Sequence, residues 1–167
     1  MEPDYDFIPG PWDNEPDLVR FKYKGLWCAI IRSPGSGHLC GYVGLDEKHP
    51  WFGKDYGAHL APKCKEEFCC EHTPCSIINV HGGLTYAGPL TFTRIGVKEL
   101  KLPENLHWFG FDCAHCDDMC HFSVSMEEFS EVHGFSKRLG IYRDMQYVKE
   151  QCIRLADQLL EVNKDGK

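Results

Sequence analysis

The sequence predicts an α+β fold: a single domain with a mostly antiparallel sheet and a long C-terminal helix packed on it. Three observations predict it. Over residues 142–162, apolar side chains recur at Met145, Val148, Cys152, Leu155, Leu159 and Val162. That is close to the 3.6-residue period of a helix with one buried stripe. The run Trp108-Phe109-Gly110-Phe111 is short, aromatic and apolar, as a buried central strand is. Residues 21–45 read as a hairpin: a strand over 21–32, a turn at Ser33-Pro34-Gly35-Ser36-Gly37, and a returning strand over 38–45.

The remaining segments follow in order. Residues 1–19 are rich in proline and carboxylates without periodicity, which predicts an irregular N-terminal arm. Residues 48–56 are aromatic but interrupted by Pro50 and Gly53, the pattern of a structured loop. Residues 57–75 gather His59, Cys64, Cys69, Cys70, His72 and Cys75 among charges. A brief strand is expected over 76–80, and the Gly82-Gly83 pair after it calls for a tight turn or a close backbone approach. Another strand is expected over 90–97 and a loop over 98–106. On the C-terminal helix, Lys149, Glu150 and Arg154 fall on the water-facing side.

A chain of 167 residues with 43% hydrophobic and 13% aromatic content can bury a substantial core. The net charge of −7 argues against general binding to nucleic-acid backbones, though not against one nucleotide in a local pocket. No run reaches the ~20 apolar residues of a membrane span, and the acidic start, Met1-Glu2-Pro3-Asp4, is the reverse of a signal peptide. The expectation is a cytoplasmic protein with reduced thiols, Cys28, Cys40 and Cys152 among them as core residues.

Chemistry concentrates at two strand ends. The stretch Asp112-Cys113-Ala114-His115-Cys116-Asp117-Asp118 follows the aromatic strand, and Val80-His81-Gly82-Gly83-Leu84-Thr85 follows a short apolar run. A strand fixes such groups while the loop beyond it exposes them. His81, His115, Asp112 and Asp118 are therefore the candidate catalytic set. Imidazoles with carboxylates suit zinc, manganese or iron; without metal, two histidines can act as base and acid on a phosphodiester. The plainer alternative has Asp112 capping the turn and His115 satisfying buried carbonyls.

Gly82, Gly83 and Thr85 are read as an anion cradle or a plain turn, since the spacing is not that of a P-loop. His38 joins them as a ligand-binding residue, with Trp51 and Tyr56 as rings that stack a base or form the loop's own core. Cys64, Cys69, Cys70, His72 and Cys75 carry enough thiolate and imidazole for a structural zinc, or are a reduced loop. Cys113, Cys116, Cys120 and His121 invite the same zinc reading, and Cys113 beside His115 is a candidate thiol nucleophile.

The segments His38-Leu39-Cys40-Gly41-Tyr42-Val43-Gly44, His49-Pro50, Lys54-Asp55-Tyr56, Val80-His81-Gly82-Gly83-Leu84-Thr85 and Trp108-Phe109-Gly110-Phe111-Asp112-Cys113-Ala114-His115 with Asp118 together resemble a family of small proteins encoded in bacteriophage and prophage genomes. The resemblance covers roughly residues 21–162. It implies a phage accessory protein, in the host cytoplasm, that acts on host defence or nucleotide metabolism. Cys116 and Asp117 depart from the small residue and glycine that the family places there. The cysteines of 64–75 are also peculiar to this chain.

These readings converge on a hydrolase, zinc- or manganese-assisted or histidine-based, acting on a phosphodiester or nucleotide such as a host defence signal. The alternative is a non-enzymatic anti-defence protein that sequesters such a nucleotide, or binds and inhibits a host defence protein in the manner of an anti-CRISPR. An acidic surface favours the inhibitor version where the target binds nucleic acid.

Overall fold

Lys24 and Gly25 decide how the sheet begins. Both have positive φ, 46° and 90°, the twist a two-residue hairpin turn needs. They split the strand expected over 21–32 into β1 (Leu18–Tyr23) and β2 (Leu26–Arg32), paired antiparallel from Tyr23↔Leu26 outward. The computed structural model describes residues 10–60, 72–91, 100–121, 123–124 and 140–165, with side chains to 162.

β3 (Leu39–Leu45) returns along β2, with Cys28 opposite Val43 and Ile30 opposite Gly41. β5 (His107–Asp112) pairs with β3 on one side and with the short β4 (Tyr86–Gly88) on the other. The result is one antiparallel sheet in the order β1-β2-β3-β5-β4. A separate parallel pair, β6 (Asp118–Met119) with β7 (Ile141–Tyr142), leads into the long helix α2 (Met145–Asp165).

Both faces of the sheet are covered, which is why β2, β3 and β5 read as apolar runs without alternation. On one face Cys28, Ile30, Val43, Phe109 and Phe111 meet Val148, Cys152, Leu155, Ala156 and Leu159 of α2. On the other, Ala29, Ile31, Tyr42, Tyr86 and Trp108 pack with Leu100. The helix stripe is as its period predicted: Val148, Cys152, Leu155 and Leu159 are fully buried, while Lys149, Glu150 and Arg154 face water. Each fully buried Leu contributes about 1.5–3 kcal/mol relative to exposure.

The helix begins at Met145, the first residue of the apolar stripe and three residues after the start of the expected segment, because Asp144 caps it. Its Oδ1 accepts from the Tyr147 N–H at 2.7 Å. Glu15, from the irregular arm, accepts from the Met145 N–H at 2.7 Å, from Arg32 at 3.2 Å and from the Tyr142 hydroxyl.

Other expectations are revised. In place of a strand over 76–80, Pro74–Ile77 forms a single helical turn, α1, before the chain extends. Pro74 is preset for a helix start, and Ser76 Oγ accepts from the Thr73 N–H at 3.0 Å. Of the strand expected over 90–97, residues 92–97 lie outside the described residues, and Leu90 and Thr91 are not in a strand. No helix among the described residues is long and apolar enough to cross a membrane.

Candidate functional site

The two polar knots meet beside the N-terminal end of α2. The first is a turn closed by Gly83 N–H donating to Val80 O at 3.0 Å. It is fastened to the helix where the His81 N–H donates to Gln151 Oε1 at 3.0 Å. The second leaves β5 through the Ala114 N–H, which donates to Asp112 Oδ1 at 3.1 Å. It turns again where the Asp118 N–H donates to His115 O at 2.9 Å. About thirty residues of sequence lie between the knots, yet the His81 and His115 rings stand 5.2 Å apart, edge to face.

Asp118 is the centre of the arrangement. Its carboxylate is 1% exposed. Oδ2 lies 2.8 Å from His81 Nε2, 3.2 Å from His115 Nδ1 and 3.0 Å from the His115 N–H, which donates to it. Oδ1 accepts from Arg143 Nε at 2.9 Å. Burial alone would push this carboxyl up, but the hydrogen bonds from His81, Arg143 and the His115 backbone outweigh it and hold it below the usual range. Asp118 is therefore an anion that the fold requires.

His81 is oriented from behind, since its Nδ1 lies 2.9 Å from the Tyr147 hydroxyl. Arg143 rests over the Tyr147 ring at 4.9 Å. Its Nε is spent on Asp118, and the two Nη groups have no partner among the described residues.

Gly82 explains how His115 is seated. Its φ is +62°, and a Cβ placed there would lie 1.9 Å from His115 Cε1 and 2.1 Å from Nε2. The imidazole packs directly on the glycine backbone, so Gly82 serves a close approach. Gly83, at φ +84°, has open space where its Cβ would be. Its N–H is committed to Val80, which takes it out of the anion cradle the sequence suggested.

One potential ligand atom from each of His81, His115 and Asp118 falls within 4.8 Å of the others, so the group can hold a metal ion. The donor set is two imidazoles and a carboxylate, which suits zinc, manganese or iron. Tyr147 is the kind of outer partner that fixes a ligating histidine's tautomer and ring. Without an ion, the same contacts form a hydrogen-bonded His–Asp–His unit able to hold and pass protons.

Asp112 is not part of this group. It lines a separate cleft of ≈ 190 Å³ together with His38, Thr85, Tyr42 and Phe111. Trp51 lies elsewhere, 1% exposed in the main core with the Phe109 ring 6.0 Å away, so its faces are taken by packing. Tyr56 packs against the same core.

The Cys113 thiol is 2% exposed, and burial, then the charge of Asp118, pushes its pKa up. That corrects its reading as a nucleophile, which needs an accessible thiolate. Burial likewise pushes Cys28 and Cys40 up to about 12. Cys64, Cys69 and Cys70 lie outside the described residues, while His72 and Cys75 are exposed. Among the described residues, Cys113, Cys116, Cys120 and His121 form no metal-holding group.

Sequence reasoning missed Arg143, Tyr147 and Gln151. The signal was the spacing of Tyr147 and Gln151, four apart and so on one edge of the helix, beside its apolar stripe. No family model matches the chain, and no curated protein or solved structure matches it either.

Proposed function

We propose that the protein is a hydrolase of phosphodiester or nucleotide ligands, with His81, His115 and Asp118 holding a divalent metal, zinc or manganese. The observation that carries this reading is the approach of these three side chains within 4.8 Å, on a carboxylate the fold keeps ionised. A divalent ion there would polarise a phosphoryl oxygen and activate water. The residues supply the rest. Tyr147 orients His81, Gly82 seats His115, and Arg143 offers its two Nη groups to the charge that builds on phosphoryl oxygens. Without an ion, His115, 37% exposed at the side chain, would be the group best placed to exchange a proton with a leaving oxygen. The motif resemblance points to a phage accessory role, with a host defence nucleotide as the ligand.

A second reading is favoured by one observation. Asp118 accepts four hydrogen bonds and is satisfied without any ion. On that reading the protein sequesters a nucleotide signal, or inhibits a host defence protein, and turns nothing over. The test is metal analysis of purified protein with zinc and manganese titrations, alongside incubation with linear and cyclic nucleotides and chromatography of the products. One metal per chain, lost in His81→Ala, with turnover, supports the hydrolase. Binding of a nucleotide that is never consumed establishes the sponge.

A further inference from the structure

The cleft beside this group has a chemistry of its own. Its walls are apolar and aromatic, from Ile31, Pro34, Tyr42 and Phe111, and no Lys or Arg is among the described residues lining it. At ≈ 190 Å³ it is smaller than the about 300–1,000 Å³ of typical ligand pockets, which limits it to a single ring.

Beside the Ser33 and Thr85 hydroxyls, which can donate or accept, two of its polar groups are acceptors. With Ser36 Oγ donating to Ser33 Oγ at 3.0 Å, the 2.9 Å contact favours the His38 tautomer that donates from Nδ1 to Ser36. That leaves His38 Nε2 as a lone pair. Burial pushes the His38 pKa down, which keeps the ring neutral, even with Asp112 and Asp118 pulling the other way. Asp112 spends Oδ1 on the Ala114 N–H, and Oδ2 has no partner among the described residues. Two acceptors, no cation and a flat apolar wall select a planar ring with N–H donors.

We infer that this cleft binds a single-ring base bearing an exocyclic amine, as in cytosine, whose two amine hydrogens divide between Asp112 Oδ2 and His38 Nε2. An oxo group in the same place would set its lone pairs against both acceptors, which rejects uracil. The inference deepens the proposed hydrolase and rests on it for one point, that a phosphoryl group attached to the bound base reaches the neighbouring His115 and Asp118. Two features of the chain join the two sites. Asp112 and His115 share one turn, and Thr85 of the cleft follows Gly82, which carries the His115 ring.

The experiment titrates chelator-treated protein with cytidine and with uridine, followed by NMR, and repeats this with Asp112→Asn. Cytidine is expected to bind at least about 10-fold more tightly than uridine, the scale of one discriminating polar contact. The Asn amide keeps the cap on Ala114 but presents a donor, so this variant should lose the cytidine preference or turn it toward uridine. Equal binding of the two nucleosides, or binding of neither, overturns the inference. Zinc titration of the same samples separates the two readings. Metal binding without nucleoside binding overturns the cleft assignment alone. Cytidine preference without metal binding upholds the cleft and removes the metal centre.

Discussion

Replacing Gly82 by alanine should unseat His115, and Gly83→Ala is its built-in control. Both positions have positive φ, 62° and 84°, so each substitution costs about 1–2 kcal/mol of backbone strain. Only at Gly82 does the new methyl meet anything, 1.9 Å from His115 Cε1, against the about 3.5–4 Å that two carbons need. The ring must move by roughly 2 Å, which breaks its 3.2 Å contact with Asp118. The side chain is 37% exposed and can swing into water, so the added loss is about one hydrogen bond, ~1 kcal/mol. For a chain of this size each kcal/mol lowers Tm by about 2–4 °C. Gly83→Ala should therefore fall by about 2–8 °C and Gly82→Ala by about 4–12 °C, with the second always lower. The sharper readout is local. The His115 ring resonance should shift in Gly82→Ala and stay put in Gly83→Ala. Zinc affinity should fall in the first by more than the about 10–100-fold seen when an outer partner of a ligand is lost. Two variants alike in melting and in the His115 resonance would refute the seating argument.

Leu155→Asp puts an unpaired charge where the side chain is fully buried between α2 and the sheet, and should abolish cooperative unfolding in circular dichroism; an unchanged melt would refute the packing. His115→Ala should lower Tm by only about 2–4 °C, for the one hydrogen bond lost to Asp118, yet lower turnover by about 10²–10⁴-fold, measured by product chromatography. His49 makes stability depend on pH: buried, it lies 2.9 Å from Leu159 O through Nε2 and accepts the Trp51 N–H at Nδ1, at 3.1 Å. Burial pushes its pKa down, so the unfolded chain binds the proton first. The stabilisation is complete above the ordinary value of about 6.5 and is lost as pH falls from there to the folded value. In urea titrations across that range, His49→Gln should show a shallower decline than wild-type.

Much of this fold is legible because its signals are local. The stripe from Met145 to Val162 reads as a helix at any temperature of reading, and Phe109 and Phe111 announce a buried strand. What stayed hidden depended on few residues. Lys24-Gly25 turns the chain with a dipeptide that an apolar run on either side conceals. Thr73-Pro74 starts a helix of one turn, too short to show a period. In the site, His81, His115 and Asp118 were legible because each sits in a polar knot that closes a short apolar run. Asp112 satisfied the same rule yet belongs to the cleft, since its place at the end of β5 was visible but its direction was not. Arg143, Tyr147 and Gln151 act across distances of 25 to 70 residues, from a helix whose polar edge looks like ordinary solvated surface.

That helix also works as a lever. The stripe that seats α2 in the core and the edge that holds His81 are rigidly joined, with Tyr147 and Gln151 next to Val148 and Cys152. A side-chain tip lies roughly 6 Å from a helix axis, so a roll of about 10° carries it ~1 Å. That is enough to break a 2.9 Å hydrogen bond such as the one between His81 and Tyr147. Substitutions deep under the helix that leave the protein folded, a Leu159→Val or an Ala156→Ser, are thereby transmitted as torque to an imidazole they never touch.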